Sequence, residues 1–202
     1  SPALYSCLAN RGFFDKEELK KFRNINSRLQ GHPDMNKVPG VDMTTGSLGQ
    51  GTSVAAGIAT GMKYNKSNQY VYLIVGDGEL NEGQCWEAFQ YIANYKLNNC
   101  IVIIDDNKRQ LDGYTKDVMN PFDIAEKMKA FGFYVQTAKG NDEEAIDTAI
   151  ENAKKVENKA VCIVLDTIKG QGIKYFEELE SNHSVKFNNE EIIAENHKAI
   201  NK

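Results

Sequence analysis

The sequence predicts an α/β fold, a doubly wound parallel sheet with helices on both faces. Four short apolar runs are typical of strands, and helical segments separate them along the chain. Three of the four runs are nearly continuous in aliphatic and β-branched residues, which indicates strands covered on both faces. Strands that alternate with helices favour a parallel sheet.

The predicted strands are YVYLIV (70–75), CIVIID (100–105), FYVQTA (133–138) and AVCIVLDT (160–167). The predicted helices cover 49–64, 81–97, 121–131, 142–156 and 188–200. The helix at 142–156 begins with acidic residues and ends with lysines, an order that complements the helix dipole. The segment from Gly170 to Asn189 has no clear period and is predicted to be a long loop.

Composition excludes several classes of protein. With 202 residues, 41% of them hydrophobic and 26% charged, the chain is an ordinary globular domain. A net charge of -4 and no Lys/Arg block argue against nucleic-acid binding, which needs clustered positive charge. No run is long enough to span a membrane and the N-terminus lacks a signal-peptide pattern, so we expect no membrane contact and a cytoplasmic protein. The cysteines form no CxxC pair, which favours reduced thiols; they are Cys7, Cys85, Cys100 and Cys162.

Asp77 follows the first predicted strand and lies between Gly76 and Gly78. In parallel sheets, ligands bind outside the carboxyl ends of the strands, so this turn is a candidate site. The glycines would let a large anionic group approach the backbone closely, but the aspartate would repel that group. A hard cation between the two removes that repulsion, and Mg²⁺ is held by a few protein oxygens plus substrate phosphates.

Asn107 ends the next predicted strand, 30 residues after Asp77. Its amide oxygen and the carbonyl of Arg109 would complete the protein's share of such a site. The structural alternative is a simple turn at Asp77 and a polar strand end at Asn107. For Asp77 or Asn107 taken alone, the structural alternative is favoured. The two residues together, at this spacing, favour the metal site. A dinucleotide fingerprint would need glycine where Asn81 stands, and no P-loop occurs.

The chain resembles the transketolase family, most closely the amino-terminal subunit of a split transketolase. The matching stretches, in family order, are GHPD (31–34), PGVDMTTGSLGQG (39–51), GDGELNEGQCWEA (76–88), DDNKRQLDG (105–113) and KGQG (169–172), with His183 further on. The resemblance implies the thiamine diphosphate-binding fold, specifically its diphosphate-binding domain.

The resemblance also implies roles for individual residues. The implied Mg²⁺ ligands are Asp77, Asn107 and the carbonyl of Arg109, with Ca²⁺ or Mn²⁺ as substitutes. The implied catalytic residues are His32 and His183. The implied thiamine diphosphate-binding residues are Gly46, Ser47, Leu48, Gly76, Asp77, Gly78, Glu79, Asn107 and His183.

Glu82 and Glu87 match acidic positions of the family that serve contact between subunits. The local alternative is that both are first-turn helix acids favoured by the dipole. The sequence leaves these two interpretations open.

The reaction implied by the resemblance is transfer of a two-carbon ketol unit from a ketose phosphate to an aldose phosphate, as in the pentose phosphate pathway. Thiamine diphosphate supplies the electron sink for that chemistry. The glutamate that protonates its pyrimidine ring belongs to another domain of the family. We therefore expect this chain to be inactive alone and to need a C-terminal, pyrimidine-binding partner subunit in an α2β2 assembly.

The expected organisation is a diphosphate domain at residues 1–187 and a C-terminal helix at 188–202, with about fifty residues of the family's N-terminal pattern absent. One alternative is the alpha subunit of a 2-oxoacid dehydrogenase, against which GHPD and TTGSLGQG favour transketolase. Another is a non-catalytic module that keeps the fold. The absent N-terminal pattern supports that module, whereas Asp77 and Asn107 count against it.

Overall fold

The computed structural model describes residues 1–185 and 190–200. The chain divides into two compact units, Ser1–Gly51 and Thr52–Lys202, and each is described separately. Within the described residues, no helix is both long and apolar enough to cross a membrane.

The first unit is built on helix α1 (Pro2–Asn10) and a 3-10 helix (Lys16–Lys21). Proline suits the first turn of α1, because the amide hydrogen it lacks would have no partner inside the helix. The Asp15 side chain caps the 3-10 helix by accepting the backbone N–H of Glu17. One apolar core holds the unit together, and it consists of Tyr5, Leu8, Ala9, Phe14, Leu29, Val38 and Val41.

The second unit contains a parallel sheet of four strands in the order β1-β2-β6-β5. Its strands are β1 (Val71–Gly76), β2 (Cys100–Asp106), β5 (Tyr134–Lys139) and β6 (Val161–Asp166). A separate antiparallel hairpin pairs β3 (Arg109–Gln110) with β4 (Gly113–Tyr114). The register pairs Gly76 with Asp105, and Asp105 in turn with Leu165, so three strands end side by side.

Helices cover both faces of this sheet, as the nearly continuous apolar strands predicted. On one face Leu73, Val102 and Cys162 pack in a cluster with residues of three helices. On the other, Ile101 and Val161 pack with residues of a single helix. The helices of the first face are α2 (Gln50–Tyr64), α3 (Gly83–Asn94) and α5 (Ile124–Ala130), and that of the second is α6 (Glu143–Lys154). The remaining helices are α4 (Thr115–Val118), α7 (Lys174–Glu178) and α8 (Glu190–Ile200).

Two predicted helix starts differ from the structure for local reasons. A 3-10 turn at Gly78–Asn81 precedes α3, which begins at Gly83. Helix α5 begins at Ile124 because Phe122 has a left-handed φ of 54° and the Asp123 side chain caps the helix at Glu126.

The predicted fold class is confirmed: a parallel α/β sheet carries helices on both faces. The predicted loop from Gly170 contains a short helix, α7. The expected boundary between residues 187 and 188 lies outside the described residues. The C-terminal helix is described from Glu190.

Candidate active site

Asp77 stands where β1 ends and the 3-10 turn begins. Its side chain accepts the Gly78 N–H at 2.8 Å and a backbone N–H from Lys108. The Thr115 hydroxyl, 3.5 Å from Oδ2, is a weak third donor. Since the residue is only 1% exposed, the carboxylate lies in a buried place with donors on several sides.

Burial raises the pKa of Asp77 from about 3.8 to about 6. That value includes the neighbouring carboxylates of Asp106 and Asp105, which act in the same direction as burial, and the Gly78 and Lys108 N–H groups, which oppose it. A buried carboxylate next to two more carboxylates attracts a cation, because a cation offsets both the desolvation and the repulsion.

Asn107 directly follows β2 and precedes Lys108, whose backbone N–H binds the Asp77 carboxylate. Its Nδ2 donates to Asp105 Oδ2 at 2.9 Å, and its Oδ1 accepts the Arg109 N–H at 3.1 Å. The backbone joins the same strand ends, since the Asp77 N–H donates to the Asp105 carbonyl at 3.0 Å. The structure therefore brings together Asp77, Asn107 and Arg109, the three residues predicted as metal ligands.

The two glycines beside Asp77 have different surroundings. A Cβ at Gly78 would lie 2.6 Å from the Gln110 Cβ, so the space that Gly78 leaves is taken by hairpin β3–β4. A Cβ at Gly76 would meet nothing within 4 Å. Gly76 is thus the glycine with open space for a ligand, whereas Gly78 lets the hairpin approach.

Lys169 and His183 lie on the segment that follows β6. Lys169 Nζ is 3.1 Å from His183 Nδ1. Burial lowers the pKa of Lys169, while the carboxylates of Asp77 and Asp105 act in the opposite direction. Burial, and then the positive charge of Lys169, lower the pKa of His183. Lys169 therefore interacts electrostatically with both the Asp77 carboxylate and the His183 imidazole.

The Arg109 side chain holds this segment in place. Its guanidinium donates to the carbonyls of Leu179 and Glu180 at 2.9 and 2.8 Å and to the Tyr114 hydroxyl at 2.7 Å. It also lies 4.2 Å from the centre of the Tyr114 ring. The hairpin that follows Asn107 is thereby tied to the residues that precede His183.

Arg109→Ala should loosen the segment at 173–183 while leaving the Arg109 carbonyl in place. Hydrogen bonds from a charged donor contribute about 1.5–3 kcal/mol each, so we expect amide exchange of this segment to accelerate about tenfold or more. Hydrogen exchange with mass spectrometry measures it. Arg28→Ala, which removes a two-point ion pair with Glu18, is the matched control. Unchanged exchange at 173–183 in Arg109→Ala would show that the guanidinium does not hold the segment.

His32 and Gly46 belong to the first unit and contact each other. Gly46 has a φ of 137°, and a Cβ there would lie 2.2 Å from the His32 ring. A bond from the Thr45 N–H to the Pro33 carbonyl at 3.2 Å draws the two stretches together. Ser47 and Leu48 are exposed just before α2, with Leu48 57% exposed. Gly46 is therefore fixed as glycine both by its φ and by the histidine that packs on it.

Residues 1–200 match a family model described as "Transketolase, thiamine diphosphate binding domain". The chain belongs to this transketolase family. The predicted family is thus confirmed.

Relatives of this transketolase chain include proteins described as subunits. It is 40% identical over 190 residues to the 6-deoxy-6-sulfo-D-fructose transketolase subunit SqwG of Clostridium sp., a match that covers 94% of the chain and 69% of the relative. It is 40% identical to an apulose-4-phosphate transketolase subunit from Actinobacillus succinogenes, covering 86% of the chain and 62% of the relative. It is 39% identical to human transketolase, covering 91% of the chain but 29% of the relative.

Solved transketolases share the structure. The Campylobacter jejuni transketolase superposes with a TM-score of 0.87 at 33% identity, covering 97% of this chain and 32% of that one. The thiamine diphosphate-binding fold predicted from the sequence is confirmed by this likeness and by the family match.

The donor set of this transketolase domain fits a hard divalent ion. No three His, Cys, Asp or Glu side chains form a metal cluster within residues 1–185 and 190–200. Asp77 with Asn107 and a carbonyl is a mixed oxygen set, the kind that holds Mg²⁺ when phosphates supply other ligands. The buried Asp77 carboxylate and the open space at Gly76 fit a cation and a diphosphate respectively.

The predicted acidic residues divide into two groups. Glu79 Oε2 accepts the Gly76 N–H at 3.3 Å, inside the turn of the site. Glu82 and Glu87 are exposed. The interpretation of both as first-turn helix acids is wrong, because α3 has no acidic residue in its first turn. Glu82 is the residue before the helix, and Glu87 lies inside the helix after its first turn.

Three further polar residues at the site were not singled out from the sequence: Lys169, Thr115 and Thr167. Lys169 begins the KGQG motif, and its position after a strand was a usable signal. Thr115 reaches Asp77 from the start of α4, and Thr167 donates a hydrogen bond to Asp105. Threonine after a strand or hairpin is too common to mark a site by itself.

Proposed function

We propose that this chain is the diphosphate-binding subunit of a two-subunit transketolase that uses thiamine diphosphate and Mg²⁺. The observation that carries the proposal is the joining of two strand ends in a chain of this family: Asp77 bonds to the backbone of Asp105 and Lys108, and Asn107 lies between those two residues in the chain. The chain spans 62% to 69% of the length of the two bacterial subunits named above, and 29% of human transketolase. Both bacterial relatives are described as transketolase subunits, which supports a subunit that works with a separate partner.

In this proposal Asp77, Asn107 and the Arg109 carbonyl would hold Mg²⁺, which would supply positive charge for the diphosphate of the cofactor. When bound, thiamine diphosphate supplies the electron sink for breaking a C–C bond. Open space at Gly76 admits the diphosphate, and Lys169 brings positive charge to the same edge of the sheet. His183, with its lowered pKa, is a neutral hydrogen-bonding group beside Lys169. His32 is the group proposed to contact the substrate.

The proposed partner is a pyrimidine-binding subunit, assembled with this chain as α2β2. Exposed Glu82 and Glu87 support a contact surface on α3. The proposed location is the cytoplasm, where the four free thiols would stay reduced.

The proposed reaction is transfer of a two-carbon ketol unit between phosphorylated sugars, as in the pentose phosphate pathway. Two relatives are named for other substrates, 6-deoxy-6-sulfo-D-fructose and apulose 4-phosphate. We therefore include a ketose with a terminal sulfonate and a branched ketose phosphate among the donors to be tested.

The test combines this chain with its C-terminal partner subunit, thiamine diphosphate and Mg²⁺, and follows ketol transfer from each donor to an aldose phosphate. We expect turnover from the mixture and none from either protein alone. A mixture that binds the cofactor but transfers no ketol unit from any donor would contradict the proposed function. Turnover of pyruvate instead would assign a 2-oxoacid dehydrogenase subunit.

A further inference from the structure

The side-chain amide of Asn107 is held between two partners of opposite kind. The carboxylate of Asp105 accepts from Nδ2 at 2.9 Å, and the backbone N–H of Arg109 donates to Oδ1 at 3.1 Å. An ionised carboxylate can only accept and a backbone N–H can only donate. The amide therefore has one favourable orientation, since a rotation by half a turn would break both bonds.

This orientation has a consequence for the amide oxygen. A carbonyl oxygen has two lone pairs, and the Arg109 N–H uses one of them. The other remains available for a cation. With the amide reversed, an N–H₂ group would face the cation site, where it cannot act as a ligand.

Asp105 is itself held by the neighbouring strand. The Thr167 hydroxyl, just beyond β6, donates to Asp105 Oδ1. The Thr167 N–H donates to the Asp106 carbonyl at 3.3 Å, which extends the β2–β6 pairing by one residue. Each carboxylate oxygen of Asp105 thus accepts a bond from a side chain, and neither faces the site without a partner.

We propose that Asp105 is a positioning residue that turns the amide oxygen of Asn107 toward Mg²⁺, and that Thr167 supports it. The proposal rests on the proposed function, because it concerns the same metal site. Asp105 acts through Asn107 and is not itself a metal ligand. Removing its side chain leaves the bond from the Asp77 N–H to the Asp105 carbonyl, so the strand ends stay joined. The loss of a negative charge near Asp77 must be separated from the loss of the bond to Asn107.

The test uses this chain in complex with its partner subunit, without sugar substrate. Calorimetry measures thiamine diphosphate binding at a series of Mg²⁺ concentrations, which gives an apparent Kd for Mg²⁺. Residues that orient metal ligands typically contribute about 10- to 100-fold to metal affinity. We expect Asp105→Ala to raise the apparent Kd for Mg²⁺ by that factor, with cofactor binding restored by excess Mg²⁺.

Asp106→Ala is the matched control, because it removes the same charge one residue away. The Asp106 side chain forms an ion pair with Lys108. We expect this variant to raise the apparent Kd for Mg²⁺ by less than Asp105→Ala does, because both remove one charge near Asp77 but only Asp105 binds the Asn107 amide. Thr167→Val keeps Asp105 and should raise the Kd in the same direction by a smaller factor. It provides a second test if Asp105→Ala does not fold.

A double-mutant cycle separates positioning from general damage. In an Asn107→Ala background, Asp105→Ala should have little further effect on Mg²⁺ affinity, because the group it orients is gone. Additive losses, or an Asp105→Ala that binds Mg²⁺ as the wild type does, would overturn the proposal while leaving the proposed function intact. A wild-type complex without Mg²⁺-dependent cofactor binding would overturn the proposed function itself.

Discussion

Asp77→Ala is expected to abolish Mg²⁺-dependent thiamine diphosphate binding, with an affinity loss of about 100-fold or more. The carboxylate is the only charged side chain proposed to bind the ion, and without it the diphosphate would face the carboxylates of Asp105 and Asp106. Calorimetry on the complex with the partner subunit measures the loss. Glu157→Ala is the control, because Glu157 is exposed and precedes the start of β6, at the opposite end of the parallel strands from Asp77. Equal affinity in both variants would show that the metal site lies elsewhere.

Asp77→Asn separates loss of the site from loss of the fold. Because burial raises the pKa of Asp77 from 3.8 to about 6, the folded metal-free chain binds this proton more tightly than the unfolded chain does. The associated stability is complete below pH 3.8 and is lost as the pH rises through 6. Asparagine carries no such charge, so the variant without metal should melt higher than the wild type at a pH of about 7.5. If Asp77→Asn melted lower than the wild type at that pH, the buried charge of Asp77 would not be destabilising in the metal-free chain.

Gly78→Ala is expected to destabilise the chain even without cofactor. The new Cβ would lie 2.6 Å from the Gln110 Cβ and 3.5 Å from its Cα, so the hairpin itself must move. Gln110 is also held by the Asn81 side chain at 2.8 Å, which leaves it little freedom to retreat. Overpacking of this kind costs about 1–3 kcal/mol, and denaturant unfolding measures it.

Gly76→Ala is the matched control two residues earlier. Its Cβ would meet nothing within 4 Å, so the free energy of unfolding should change by about 0.5 kcal/mol or less. The same methyl would enter the space proposed for the diphosphate, and thiamine diphosphate affinity should fall. Equal destabilisation by the two substitutions would contradict the different surroundings of the two glycines.

The sequence allowed prediction of the sheet and of the strand ends that carry Asp77 and Asn107. Buried parallel strands have continuous apolar runs, and parallel topology places their carboxyl ends at one edge. The hairpin β3–β4 was not predictable, because strands of two residues show no periodicity. Without the hairpin, the sequence could explain the glycine at position 78 by a ligand or by a turn, but not by the approach of Gln110.

Contacts between distant parts of the chain were the other feature that the sequence could not supply. Arg109 was predicted for its carbonyl, whereas its guanidinium reaches Leu179 and Glu180, 70 and 71 residues away. Long flexible side chains select partners only after the backbone is folded. Asp105 and Asn107 are close in the sequence, but the position of the Asp105 side chain also depends on its bond from Thr167. The pairing of β2 with β6 brings Thr167 to that place.

The strand order leads us to expect different evolutionary constraint in different parts of the sheet. The site residues named above for the second unit follow β1, β2 and β6 or lie in the hairpin, at the start of α4 or on the segment after β6. None of them comes from β5, the edge strand next to β6. Strand β5 and helix α6 need only preserve their packing and pairing. Among descendants of one ancestor, substitutions should accumulate there faster than at the three ends that share the site.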